Sequence, residues 1–172
     1  MSLAAKKLFD GVFEIKDHLA TENLVLGEKV YGEELVTIKG IEYRWWNPYR
    51  SKIGAGIKKG LKNLPVKKGS KILYLGSAEG TTISHLSDIV GETGLIFGVD
   101  INANVMQKFL YLCEKRKNLV PVLADANRPE TYRQYLGKTK VDFLFQDISQ
   151  KNQAEIFLKN CRMYLKRGKK AM

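Results

Sequence analysis

Cysteine, histidine and proline are scarce in this 172-residue chain, at two, two and four residues. Cys113 and Cys161 form no CxxC pair and have no histidine close by in sequence. Neither a metal site nor a disulfide framework is expected, and both read as small buried hydrophobes in a reducing compartment. No apolar run approaches the roughly 20 residues needed to cross a bilayer, so no membrane-spanning helix is expected. The opening stretch MSLAAKKLFDGVFEIKDH lacks an apolar core of signal-peptide length, and a cytoplasmic location follows as the expectation. There is no internal repeat, low-complexity tract or Gly/Ser-rich linker. Acid is missing as well: between Glu42 and Glu79 none occurs, against nine bases running from Arg44 to Lys71.

What is present belongs to an ordinary globular chain, 44% hydrophobic and 27% charged, long enough for one good core and a small appended unit. The net charge of +11 is unevenly spread. Residues 1–50 hold seven bases and eight acids, whereas residues 51–172 hold twenty-two and ten and close on Lys166, Arg167, Lys169 and Lys170. Such a field suits a polyanionic partner, since each neutralised phosphate releases counterions. A lysine-rich solvated surface accounts for the charge equally well.

The chain divides near Asn47-Pro48. Before it, short runs at 11–15, 23–27, 29–32 and 34–40, bounded by Gly, Asn and Glu, predict a small meandering antiparallel sheet over residues 1–47. After it, strands alternate with helices. Asn47 as N-cap and Pro48 at the first helical position predict a helix carrying Ile53, Ile57, Leu61 and Leu64 on one face. Strands are expected at 71–75, 95–99, 119–123 and 141–145, with helices at 81–90, near 103–116, near 129–136 and from about 151 to 166. This alternation is the pattern of a doubly wound parallel α/β sheet over residues 48–172. Four strands are visible, Gly168 reads as a helix C-cap, and a fifth strand is expected only past Met172.

Ligands of such sheets sit at the carboxyl ends of the strands. The first strand runs into Gly76-Ser77-Ala78-Glu79-Gly80-Thr81-Thr82, a glycine turn opening a helix, where backbone can approach a ligand and anionic groups are favoured. Ala78 departs from the GxGxxG pattern of dinucleotide dehydrogenases. The second strand ends in Asp100, an acid at the position that accepts hydrogen bonds from the ribose hydroxyls of an adenosine-containing cofactor. Asp125 follows the third strand, placed to face an adenine amino group, and Asp147 follows the fourth. Any one of these carboxylates can equally be a helix cap. Three at successive strand ends favour a ligand site.

The segment Glu42-Tyr43-Arg44-Trp45-Trp46-Asn47-Pro48-Tyr49-Arg50-Ser51-Lys52 resembles the E-Y-R-x-W-N-P-x-R-S-K signature of fibrillarin. KILYLGSAEGTTISHLSDIVG is similar to that family's cofactor loop and following helix, LATENLVLGEKVYGEELV to its N-terminal region, and Asp147-Ile148-Ser149-Gln150 to its D-V-A-Q motif. The resemblance covers nearly the whole chain and, with no Gly/Arg-rich arm, is to the archaeal form. Departures from the family pattern are Glu79, Asp100, Asn102-Ala103-Asn104 and Asn127.

The resemblance implies a Rossmann-like S-adenosylmethionine methyltransferase fold and methylation of ribose 2′-hydroxyls in rRNA and tRNA. It also implies a box C/D ribonucleoprotein in which guide RNA, a Nop-type scaffold and a kink-turn-binding ribosomal-type protein select the target. Cofactor contacts are implied at Gly76, Ser77, Ala78, Gly80, Thr81, Thr82, Asp100, Ile101, Asp125, Ala126, Asp147 and Gln150. A ribose hydroxyl is a poor nucleophile, so in-line attack needs proton removal and tight positioning. Asp147 is expected to receive or orient that proton and Lys52 to stabilise the developing alkoxide. The family's Lys–Asp–Lys set implies a second lysine past Met172, and slow transfer without it. Two other functions stand beside this one: a non-catalytic RNA- or protein-binding module of the same particle, and a protein-directed methyltransferase. His85 reads as a helix-surface or core histidine, and Trp45 and Trp46 as residues that stack on bases or pack between the two parts.

Overall fold

The computed structural model describes residues 4–172, which build two five-stranded sheets. The first is antiparallel throughout. Its strands β1 (Lys6–Phe9), β2 (Val12–Ile15), β3 (His18–Glu22), β4 (Leu35–Ile38) and β5 (Ile41–Trp45) lie in the order β1-β2-β3-β5-β4. Two of its hairpins close through two residues with positive φ, Lys16-Asp17 and Lys39-Gly40. That geometry matches the right-handed twist of the strands they join.

The expected strands at 23–27 and 29–32 are instead one long loop. Several of its backbone donors are satisfied by carboxylates rather than by strand pairing. Glu42 accepts from Gly27 N at 2.9 Å, and Glu33 accepts from Val30 N and Tyr31 N at 2.9 and 2.8 Å.

The second sheet is parallel, with β6 (Lys71–Leu75), β7 (Leu95–Asp100), β8 (Leu119–Leu123), β9 (Val141–Gln146) and β10 (Leu165–Ala171) in the order β10-β9-β6-β7-β8. The chain winds outward from β6 to β8 and then returns to pair β9 with β6. That reversal opens a crevice at the carboxyl ends of β6 and β9. The fifth strand corrects the four-strand expectation. β10 pairs in parallel with β9, Lys170 opposite Phe143 and Ala171 opposite Leu144. Gly168, at φ +76°, lies in the register slip within that strand and caps no helix. A strand written Leu-Lys-Arg-Gly-Lys-Lys-Ala has no apolar alternation to announce it.

The helix expected from Pro48 is also broken. Pro48–Arg50 is a single 3-10 turn, Ser51 is extended, and helix α1 spans Lys52–Lys58. Two caps produce the break: Asn47 Oδ1 accepts from Tyr49 N at 2.9 Å, and Ser51 Oγ accepts from Gly54 N at 3.1 Å. Ile53 and Ile57 are buried as expected, whereas Leu61 and Leu64 reach the same core from beyond the helix.

Helix α2 (Thr81–Val90) lies between the sheets and is buried over most of its surface. Val12, Leu19 and Trp46 of the N-terminal part share one core with Ile72, Tyr74, Ile83, Leu86 and Ile89. Gly11 permits this closeness, since a Cβ there would stand 3.0 Å from the Ile89 backbone. On the other face of the parallel sheet, α5 (Gln153–Tyr164) and α4 (Arg133–Leu136) cover Leu73, Leu75, Val99, Val122 and Leu144. Helix α3 (Ala103–Lys115) packs on β7 and β8.

Candidate active site

The crevice is built from four strand ends and one helix start. Gly76, at φ +82°, turns the chain out of β6, and its N–H donates to Val99 O at 2.8 Å. A Cβ at this position would collide with the backbone carbonyl of Asp147, so only glycine lets the ends of β6 and β9 close together. Asp147 N in turn donates to Leu75 O at 2.8 Å. Ser77 and Ala78 follow, and Ala78 N donates to Asp100 Oδ2 at 3.1 Å, tying the turn to the end of β7. Gly80 occupies the N-cap of α2 with no side-chain cap, leaving the first amides of Thr81 and Thr82 without a capping oxygen. The buried Thr82 hydroxyl donates to Ser51 Oγ at 3.0 Å, anchoring the segment that carries Lys52.

Asp100 also accepts from Asn102 N at 3.0 Å, while Ile101 beside it is 60% exposed. Asp125 accepts from Asn127 N at 2.9 Å and from Gln150 Nε2 at 3.3 Å, joining the loops after β8 and β9. Ala126 differs from its neighbours: its methyl is in the core and its carbonyl accepts from Asn160 Nδ2 at 2.8 Å. Lys52 Nζ donates to the Asp147 carboxylate across 95 residues of sequence, with the lysine side chain 75% exposed and the aspartate 25%. Two buried polar atoms here, Ser77 Oγ and Gln150 Oε1, have no partner among the described residues. Unsatisfied buried groups in a crevice are where a ligand's polar atoms belong.

Behind the crevice lies a buried ionic cluster that no sequence motif announces. Arg44, counted among the basic residues of a charged surface, is fully buried. It donates to the Glu33 carboxylate, to Asp88 Oδ2 at 2.9 Å and to Ser84 Oγ at 2.9 Å. Arg116 donates to Asp88 Oδ1 at 2.6 Å and to Asn23 Oδ1 at 3.3 Å. Asp88 accepts further from Thr21 Oγ1 at 2.7 Å and Leu24 N at 3.0 Å.

His85, by sequence either a helix-surface or a core histidine, is core, and it has partners. Its Nδ1 lies 2.8 Å from Thr21 Oγ1 and its Nε2 2.7 Å from the Tyr31 hydroxyl, and its ring stacks on Trp46 at 4.8 Å. The Thr21 hydroxyl donates to Asp88 Oδ2 and the Tyr31 hydroxyl to the Trp45 carbonyl at 2.9 Å, so the imidazole is held between two hydroxyls that are themselves anchored. Burial, reinforced by the charges of Arg44 and Arg116, holds the imidazole well below its usual pKa, and it stays neutral. Burial pushes the Tyr31 hydroxyl up to about 12. Trp46 thus packs between the two sheets, and Trp45 stacks on His18 at 4.0 Å. A polar character of the inward face of α2 (Ser84, His85, Ser87, Asp88) is the one sequence signal that could have announced this cluster.

Among the described residues, no helix is long and apolar enough to cross a membrane. The family model of Fibrillarin matches residues 3–172. A fibrillarin-like rRNA/tRNA 2′-O-methyltransferase of Pyrococcus furiosus is 48% identical over 168 residues, covering 95% of this chain and 73% of the relative. Aeropyrum pernix fibrillarin, solved with natively bound S-adenosyl-L-methionine, superposes with a TM-score of 0.94 at 43% identity, covering 99% of this chain and 76% of that one. The chain of a fibrillarin/Nop5p complex superposes with a TM-score of 0.86 at 40% identity, covering 96% and 75%. With its signature segment, its strand-end carboxylates and its parallel sheet all accounted for, the chain belongs to the fibrillarin family.

Proposed function

We propose that this protein is an S-adenosylmethionine-dependent methyltransferase acting on ribose 2′-hydroxyls of rRNA and tRNA. It works in the cytoplasm within a box C/D ribonucleoprotein, where guide RNA, a Nop-type scaffold and a kink-turn-binding protein present the target. Residues 48–172 carry the chemistry and residues 1–47 form the small N-terminal unit. The observation that carries the reading is the Lys52–Asp147 pair, set beside the Gly76 turn in a crevice that holds two buried polar atoms without partners among the described residues.

The crevice fits the cofactor. Asp100 takes the ribose hydroxyls of the adenosine and Asp125, braced by Gln150, the adenine amino group. The Gly76–Thr82 turn, with Ser77 Oγ and the uncapped amides of α2, receives the polar tail. When bound, the cofactor supplies an electrophilic methyl group on a sulfonium. Asp147 accepts the proton leaving the 2′-hydroxyl. The Lys52 ammonium offsets the negative charge that develops on the oxygen, and its hydrogen bond fixes the carboxylate's orientation. Ser51 and Thr82 hold the start of α1 against α2, so that Lys52 is presented from a fixed backbone.

Calorimetric titration with S-adenosylmethionine of the wild type and of Asp100→Ala tests the cofactor site, with weakened binding expected in the variant. Equal heats would place the site elsewhere. Methyl transfer in the reconstituted particle tests the reaction. Cofactor binding without transfer would favour the non-catalytic module, and selective methylation of one RNA site by the protein alone would remove the guide from the reading.

A further inference from the structure

We infer that Tyr49 is a specificity residue of the reaction, entering the minor groove of an A-form duplex of guide and target strands and hydrogen-bonding a ribose 2′-hydroxyl next to the one methylated. The inference rests on the function proposed above. Tyr49 is 97% exposed, above every other exposed large hydrophobic side chain of the described residues. Its ring contributes nothing to the core, and among the described residues its hydroxyl has no partner.

The backbone beneath it, in contrast, is fixed. Pro48 restricts the preceding residue, Asn47 Oδ1 accepts from Tyr49 N at 2.9 Å, and Asn47 N donates to the half-buried Tyr31 hydroxyl at 3.2 Å. On the other side Ser51 is locked to Gly54 and Thr82. Arg50 lies over the Tyr31 ring, 5.2 Å from its centroid. A groove of about 550 Å³ runs beside the turn, lined by Tyr31, Trp45, Pro48, Tyr49 and Arg50. A rigid turn that holds one large side chain wholly in solvent is built to present that side chain.

What it meets follows from the geometry of RNA. Tyr49 precedes Lys52 by three residues, a reach of at most about 10 Å. In an A-form duplex the 2′-hydroxyls line the wide, shallow minor groove, so residues that act on one approach from that face. Paired bases offer no free faces for stacking there. They leave ribose hydroxyls, which donate and accept, as a tyrosine hydroxyl does. Recognition of a neighbouring 2′-hydroxyl also distinguishes RNA from DNA at that position.

The test compares wild type, Tyr49→Phe and Tyr49→Ala in the reconstituted particle. Target strands are all-ribose, or 2′-deoxy at the nucleotides immediately flanking the target. The wild type is expected to lose about fivefold to tenfold in kcat/KM on the flanking-deoxy strand, as one hydrogen bond is worth. Tyr49→Phe should lose the same on the all-ribose strand and nothing further on the deoxy strand, because the two changes remove one shared contact. Calorimetry with S-adenosylmethionine should be equal for all three proteins. Wild-type rates for Tyr49→Phe overturn the inference. If Tyr49→Ala alone is slow, the ring rather than the hydroxyl acts, which also overturns it. No transfer by the wild type on the all-ribose strand overturns the proposed function itself, and this inference with it.

Discussion

Two groups of opposite charges occupy this molecule, and they differ in access to water more than in chemistry. Glu33, Arg44, Asp88 and Arg116 are sealed between the two sheets, two charges of each sign with side chains at most 2% exposed. Lys52 and Asp147 meet at the mouth of the crevice, with the lysine three-quarters exposed. The buried set is tolerable only when complete, because removing one partner strands another charge away from solvent. The exposed pair is screened by water and adds little to stability. A pair that stabilises so little, yet joins α1 to the end of β9, has its use in what it does to a third group placed between them.

The largest expected effect comes from breaking the buried set. Asp88→Ala should lower the free energy of unfolding by about 3–5 kcal/mol, since it leaves Arg44 and Arg116 short of an anion. A urea midpoint near that of the wild type would show that water reaches the cluster. Next is the exposed pair. Lys52→Ala and Asp147→Asn should each slow methyl transfer by about 10²–10³ while shifting stability by less than about 1 kcal/mol. If either variant unfolded like Asp88→Ala, the contrast between the two sites would collapse.

A third measurement separates them by pH. His85 is held neutral in the fold, whereas in the unfolded chain it takes up a proton near pH 6.5. The unfolded state therefore binds more protons below that value. The contribution of His85 to stability is whole above about pH 6.5 and declines as pH falls further, by up to about 1.4 kcal/mol per unit. Urea melts of the wild type and His85→Gln between pH 5 and 8 should diverge in slope only below about 6.5. Parallel curves would mean that the imidazole is solvated. The smallest effect is a control. Lys115 and Glu28 form an exposed pair that also links α3 to the N-terminal part, with side chains 55% and 42% exposed. Lys115→Ala should change stability by no more than about 0.5 kcal/mol and leave transfer rates alone.

The same division by solvent access decides what the sequence disclosed. The starts and ends of β6 and β8 were legible to the residue, and β7 and β9 to within one, because strands of a parallel sheet are continuous apolar runs such as Ile72–Leu75 and Leu119–Leu123. The strand-end residues Gly76, Asp100, Asp125 and Asp147 were legible because topology alone brings such ends to one edge. The N-terminal part was legible as an antiparallel sheet, with β2 and β4 inside expected runs, but β5 was not: it carries Arg44 at a core position, where a charged residue disguises the alternation that marks a half-buried strand. Helix α1 began four residues later than expected because Ser51 competes with Asn47 as a cap, a contest settled by the Thr82 hydroxyl thirty-one residues away. Glu33, Asp88 and Arg116 were invisible as a set, since their meaning lies in partners far along the chain.

Those long separations bear on how the chain comes to be folded. The bonds that tie Arg44 and Thr21 to Asp88 bridge 44 and 67 residues, and the one from Arg116 to Asn23 bridges 93. Contacts so far apart in sequence repay their loop-closure entropy only late, and they slow folding relative to hairpins with two-residue turns. On the ribosome the N-terminal hairpins emerge early, but their inner face keeps Arg44 hydrated until α2 and the end of α3 have been made. The N-terminal sheet is therefore completed from behind, by residues synthesised long after it.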